Sequence, residues 1–293
     1  MTRYDAFIKV LETGSFSQAA QDLGYTQSAV SQMVHSLEEE LNTTLIARSR
    51  RGLSLTPDGE EFVPYIRSVY NAHRELMEKK NEMQGLGSGL IRIATFTSVA
   101  CNWLPGLIKE FKGRYPSVTF DLCQGDYNAI AAKIWEGSVD FGFLNPEAIK
   151  GLTLTHVPLG TDEMLAVLPK GHRLARRKVL SLAELTEDPF FLLDEGEWSE
   201  PLDIFRKNGL MPNVQYHVYD DYAIMSMIEQ GLGITVLPAL ILSRCQYQVE
   251  TRRITPPIVR NICLSYKNKK VLPVASRRFI DFIVERAGNL SQG

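Results

Sequence analysis

Residues 57–86 carry a single helical pattern, and this run limits the possible folds more than any other feature of the chain. Thr56 followed by Pro57 is a start signal: a capping hydroxyl, then the one residue with no N–H to lose at the first helical position. Phe62, Ile66, Val69, Leu76 and Met83 fall close to heptad spacing, with His73 and Lys80 interrupting the seam. At helical rise the run spans roughly 45 Å. It ends in a Gly-rich joint, Gly85, Gly87 and Gly89, whose spacing misses G-x-G-x-x-G and follows no strand, so a nucleotide-binding turn fits it poorly. The 293 residues exceed one comfortable core. A stripe of this kind packs on its own domain or on a partner, and a long helix between two bodies is expected to find a partner chain.

Before this run the pattern is of short helices with tight breaks. Residues 4–13 carry Phe7, Ile8 and Leu11 at helical spacing up to Gly14; Ser15 caps a second helix over 16–23. After Gly24, Thr26 caps a third helix over 27–41, with Val30, Val34, Leu37 and Leu41 as its apolar stripe. Ala20, where the helices must approach, and Gly24 at the turn describe a helix-turn-helix, with Val30 filling the angle. In such a unit the second helix enters the major groove, so Thr26, Gln27, Ser28, Ser31, Gln32 and His35 are candidate DNA contacts. A helical hairpin with a merely solvated polar face is the alternative from spacing alone. Two alternating runs around Arg51-Gly52 predict a hairpin wing over 45–56, in which Arg48, Arg50 and Arg51 suit phosphate or minor-groove contact.

The overall balance, 32 basic against 34 acidic side chains and a net charge of -2, argues against a nucleic-acid partner until it is read locally. Up to residue 57 five basic and six acidic side chains leave -1, yet the arginines sit in the wing and Glu38, Glu39 and Glu40 at the far end of the third helix. Weak binding per module, made adequate by several modules, is the expectation.

Here the residues resemble the winged helix-turn-helix of LysR-type transcriptional regulators. The matching run is Phe7, Val10, Glu12, Gly14-Ser15-Phe16-Ser17, Ala19-Ala20, Leu23, Thr26-Gln27-Ser28-Ala29-Val30-Ser31, Leu37-Glu38, Leu41, Leu45, Arg48, Arg51, Leu55-Thr56 and Gly59. Asn42 stands where a glycine is usual and Ile46 where phenylalanine is usual. The resemblance implies an α/β multidomain protein: an N-terminal winged helix-turn-helix (1–58), a linker and dimerisation helix with hinge (59–89), and a C-terminal periplasmic-binding-protein-like α/β effector domain of two subdomains (90–293). Subdomain I is expected over about 90–160 and 265–293 and subdomain II over about 161–264, with crossovers near Gly160-Thr161 and Leu264-Ser265. It also implies double-stranded operator DNA with palindromic half-sites, a small-molecule effector, and a homodimer that pairs into a tetramer.

Beyond residue 90 strands and helices alternate in two series. Strands are predicted over 90–96, 118–123, 139–144, 190–193, 214–219, 234–237 and 262–266; helices over 98–114 and 128–135, from 200 and 222, and over 273–286. Ligands in such sheets sit beyond the carboxyl ends of strands. Those ends offer Thr95, Thr97, Ser98, Asn102, Asp126, Asn145, Glu197, Trp198, Ser199, Asp221 and Tyr222 as candidate effector contacts, with Asp194, Glu195 and Asp220 adding acid and Trp103 a flat surface. None of those loops carries lysine or arginine, which favours a neutral or cationic effector over an organic anion.

Other classes fare worse. There is no G-x-S-x-G, phosphate loop or H-E-x-x-H, and the five histidines are scattered, so no catalytic residue, metal site or cofactor is expected. Cys101, Cys123, Cys245 and Cys263 lack C-x-x-C spacing. The best apolar run, 233–242, is short and broken by Pro238, and Arg3, Asp5, Lys9 and Glu12 stand where a signal peptide needs apolar residues. A cytoplasmic protein without a membrane partner is predicted. The rival function is a stand-alone small-molecule binding or transport-related protein whose N-terminal helices serve assembly.

Overall fold

A computed structural model describes residues 2–49, 52–83, 89–194, 196 and 198–290. Arg50, Arg51, Glu195, Glu197 and the Gly85 and Gly87 of the joint lie outside the described residues. Three short helices open the chain: α1 (Arg3–Thr13), α2 (Phe16–Leu23) and α3 (Gln27–Leu41). Each begins at a hydroxyl cap, Thr2, Ser15 or Thr26, and each ends on a left-handed residue, Gly14, Gly24 or Asn42. Asn42 has φ +52°, the region asparagine reaches at low cost. That is why it serves where the resemblance expects glycine.

The strands β1 (Ile46–Ser49) and β2 (Gly52–Leu55) form the antiparallel wing, and α4 (Pro57–Met83) follows. The Thr56 hydroxyl accepts from Gly59 N at 2.9 Å and donates to the Thr44 carbonyl at 2.6 Å. A Cβ at position 59 would lie 2.3 Å from the Leu45 carbonyl oxygen, so helix and wing meet this closely only at glycine. The heptad stripe of α4 is divided in use. Ile66, with neighbouring Val63, buries into the N-terminal core beside Phe7, Val30 and Leu37, whereas Val69 and Leu76 stay exposed. Among the described residues the exposed part of the seam is its later part.

Subdomain I contains β3 (Gly89–Thr95), α5 (Thr97–Asn102), α6 (Leu104–Arg114), β4 (Val118–Gln124), α7 (Tyr127–Glu136) and β5 (Phe141–Leu144). The single helix predicted over 98–114 is broken at Trp103, because Pro105 in the first turn of α6 has no N–H to continue the ladder. Next come β6 (Thr155–Pro169), β7 (Val179–Ser181), β8 (Pro189–Leu193), α8 (Glu200–Lys207), β9 (Asn213–Val218), α9 (Asp221–Glu229), β10 (Thr235–Pro238), α10 (Ala239–Leu242) and β11 (Val249–Thr255). Finally β12 (Ile258–Tyr266), α11 (Val274–Glu285) and α12 (Ala287–Leu290) return the chain to subdomain I.

The main sheet has the order β4-β3-β5-β12-β6-β11-β7, with β10 also on β6 and a separate parallel pair β8-β9. β3 pairs in parallel with β4 and β5, as crossover helices require. β6 and β12 run antiparallel from one subdomain into the other, and β6 passes through Gly160 and Thr161 without a break. In β12 the register shifts between Ile262 and Cys263, two residues before the predicted Leu264-Ser265. Cys263, Leu264 and Ser265 are already paired with Leu144, Phe143 and Gly142 of β5. An aromatic cluster around Phe111, Phe279 and Phe282 fills subdomain I; Phe190, Phe205 and Ile234 fill one face of subdomain II and Phe191, Ile224 and Leu237 the other.

Candidate DNA interface and effector cleft

The open end of α3 is built by its cap. The Thr26 hydroxyl accepts from Ala29 N at 3.2 Å and lies 3.0 Å from the Ser28 hydroxyl. Gln27, Ser28, Gln32 and His35 are exposed, while Ser31 is half-buried and already engaged. The acids at the other end are tied up. Glu38 accepts from Leu45 N and Ile46 N at 2.8 and 3.1 Å, holding the first wing strand; Glu39 lies 3.4 Å from His35 and Glu40 3.0 Å from Arg3. Arg48 lies on β1 opposite Leu53. Exposed Tyr25, at the turn before α3, is a surface feature that helical periodicity did not single out.

In the effector domain the candidates separate into distinct places. Thr97, Asp126 and Asp221 line one cleft of about 290 Å³ together with Phe96, Gln124, Gly125, Leu193, Asp194 and Tyr219. Thr97 of α5 in subdomain I faces Asp221 of α9 in subdomain II across it and favours the ionised carboxylate. Asn145, buried at the end of β5, donates to Glu200 of α8 at 3.0 Å, a second bridge between subdomains. Trp198 packs on the core of subdomain I, and Ser199 caps α8 by accepting from Leu202 N. Tyr222, hydrogen-bonded to Cys101, is pushed up to about 12 by that bond and by burial. Thr95 is fully buried with its hydroxyl donating to the Phe96 carbonyl. Asn102 and Trp103 line another cavity, with Leu107, Leu240 and Ser243.

The residue that sequence reasoning missed is Arg260. No loop supplies a cation, but β12 does: Arg260 is 2% exposed, and its Nε and Nη2 donate to Asp162 Oδ2 at 3.1 and 2.8 Å. Nη2 also donates to Ser98 Oγ at 2.5 Å and Nη1 to the Tyr127 hydroxyl at 3.4 Å, and the guanidinium lies 4.8 Å from the Phe96 ring centre. Asp162 in turn accepts from Leu240 N at 3.0 Å. The available signal was the alternation of β12, where Ile258, Arg260 and Ile262 share the buried phase and a charge there requires a partner. Burial pushes the Asp221 carboxyl up; Arg260 pulls it back, and Asp220 pushes it up again.

Two helix N-termini beside the cleft, those of α7 and α9, are already occupied, whereas α5, which starts at Thr97, has no side-chain cap. Asp126 accepts from Ala129 N and Asp220 from Ala223 N, each at 2.8 Å, so the N–H groups that hold anions at those two starts face the chain's own carboxylates. No group of three metal-ligating side chains occurs among the described residues, and all four cysteines are free thiols. No helix among them is long and apolar enough to cross a membrane.

These two sites, on one chain and joined by a long helix, define a DNA-binding regulator with a ligand-binding domain. Residues 1–60 match the bacterial regulatory helix-turn-helix of the lysR family, and residues 84–288 match the LysR substrate binding domain. The chain belongs to the LysR family of transcriptional regulators. It is 32% identical over 291 residues to the HTH-type transcriptional regulator YvbU of Bacillus subtilis, covering 98% of this chain and 99% of that one. It is 31% identical to the transcriptional dual regulator GltC of the same organism, covering 98% and 97%. Among solved structures, HinK of Pseudomonas aeruginosa, a LysR family transcriptional regulator, matches at 26% identity with a TM-score of 0.61, covering 99% and 98%.

Proposed function

We propose that α3 reads an operator in double-stranded DNA and that a small molecule held in the cleft between the subdomains changes how the chain regulates transcription. The reading is of a cytoplasmic, non-catalytic protein without a cofactor, acting as a homodimer that pairs into a tetramer. One observation carries the DNA part. The open end of α3 presents Gln27, Ser28 and Gln32, with exposed His35 further along, while the acids lie at the far end of the helix, where Glu38 and Glu40 are held by the wing and by Arg3. Gln and Ser match base-edge donors and acceptors, and the adjoining wing adds Arg48 on β1. A solved complex of CbnR with its target DNA shares this fold, at 22% identity and a TM-score of 0.59.

The test is capture of chromosomal fragments followed by footprinting at several salt concentrations. Salt-sensitive protection of a defined site is expected, with Gln27→Ala weakening it about ten- to a hundred-fold, the range for losing a bidentate base contact. Absence of any site-specific protection would return the chain to a stand-alone small-molecule binding protein. For the effector, the capped starts of α7 and α9 and the carboxylates of Asp126, Asp194 and Asp221 favour a neutral or cationic ligand. Thermal stabilisation by organic anions alone, in a panel of amines, neutral solutes and dicarboxylates, would defeat that choice.

A further inference from the structure

The flank of α4 that follows its buried turns lies against subdomain I through polar side chains. Arg74 Nη2 lies 2.5 Å from Asp140 Oδ1, with the two side chains 13% and 2% exposed. Asn71 donates to the Gly137 carbonyl at 3.0 Å, Glu75 pairs with Arg277 of α11 at 3.0 Å, and Arg92 of β3 donates to the Tyr70 hydroxyl at 3.2 Å. The buried apolar residues of the N-terminal core and those of subdomain I form separate clusters. Arg67 Nε and Asn71 Oδ1 are buried here without a hydrogen bond.

Such a contact differs from a core. Opening it exposes little apolar surface and lets water satisfy the unpaired Arg67 and Asn71 atoms. Asp140 is not stranded when Arg74 leaves, because its Oδ2 still accepts from Arg92 N at 2.9 Å and from the Ser276 hydroxyl at 2.7 Å. The contact also sits at one end of a rigid element. Helix α7 starts at Asp126 and Tyr127, beside the cleft and Arg260, and ends at Gly137, which holds Asn71. Its ten residues span roughly 15 Å.

We propose that the α4–subdomain I contact is a reversible latch: closed, it fixes the winged module to subdomain I through Arg74–Asp140, Asn71–Gly137 and Glu75–Arg277, and open, it frees the module to present α3 at another angle. α7 places the latch where a ligand in the cleft can bias it. The consequence for operator contact rests on the DNA reading above; the latch itself does not.

Hydrogen exchange read by mass spectrometry on the full chain tests it, in wild type, Arg74→Met and Glu75→Lys. The first variant removes the guanidinium, and the second sets a lysine against Arg277. Amides of residues 68–76 and 137–140 are expected to exchange about ten-fold faster in both, with residues 91–95 and 262–266 at wild-type rates. On operator fragments the protected length is expected to change in both. Unchanged exchange in either variant overturns the latch, as does acceleration spread through the strands of subdomain I. Faster exchange with an unaltered footprint overturns its regulatory role. The exchange measurement contains no DNA, so a chain that binds no operator and a latch that does not open give different results.

Discussion

In the N-terminal module Glu38, Glu39 and Glu40 find partners on their own helix, on α1 or on the adjoining wing, and remain at least partly in solvent. In the effector domain Arg260 and Asp162, 98 residues apart, meet with side chains only 2% and 6% exposed. The module thus gains its shape from local periodicity, and its charges tune a surface. The effector domain gains its shape from pairing distant strands, and its charges lie within the structure that the strands build. Damage should therefore stay within one region, and a charge should matter far more in the second than in the first.

The largest effects test that separation. Phe7→Ala empties a fully buried position of a small core and is expected to cost about 3–5 kcal/mol. Calorimetry should then show the module melting early with the effector-domain transition unmoved; a joint shift would merge the two regions. Arg260→Met leaves Asp162 buried without its cation and is expected to cost about 3–5 kcal/mol in the other transition. The double variant Arg260→Met, Asp162→Asn should recover part of this, since a neutral group costs less to bury. A smaller effect sharpens the local side: Asn42→Ala is expected to lose about 1–2 kcal/mol, because alanine keeps the Cβ but lacks the short polar side chain that eases asparagine into left-handed backbone, while Asn42→Gly stays near wild type in urea unfolding.

The smallest effect has the opposite sign. Burial holds the Asp221 carboxyl above its ordinary value, so the folded chain binds that proton more tightly than the unfolded chain. The stability this lends is complete below about pH 4 and is lost as pH rises through the folded value. Asp221→Asn should accordingly raise Tm at neutral pH, with the gap closing on acidification. A variant less stable at neutral pH would show that the attraction of Arg260, with the help of Thr97, outweighs desolvation.

The same contrast explains what could be read in advance. Helices α1 to α3, the wing and the start of α4 were legible because caps and apolar spacing act within a few residues. Ser15, Gly24 and Thr56-Pro57 each carry their signal alone. The break at Trp103 was readable from Pro105, but the apolar stripe running through it masked the stop. β6 and β11 were not legible, since Thr155, His156, Asp162 and Glu163 give a strand crossing between bodies no simple alternation. Of the effector candidates, Thr97, Asp126 and Asp221 share a cleft, while Thr95 faces inward and Asn102 lies at another cavity. Position at a strand end does not say which way a side chain turns. Arg260 escaped because it arrives from a strand, and only the pairing of β12 with β6 brings it beneath α5.

That pairing has a mechanical consequence. β6 and β12 are bonded to each other from Thr155 with Tyr266 to Met164 with Ile258, so the link between the halves of the effector domain is a two-stranded ribbon rather than two independent tethers. A ribbon resists stretching and shear, because both break ladder bonds, and yields to twist, which strands already possess. The register shift at Ile262/Cys263 interrupts the ladder locally and adds twist. If the proposed ligand acts by moving subdomain II, the motion this link permits most readily is a rotation about its axis, so the measurement to make is an angle rather than a width of opening.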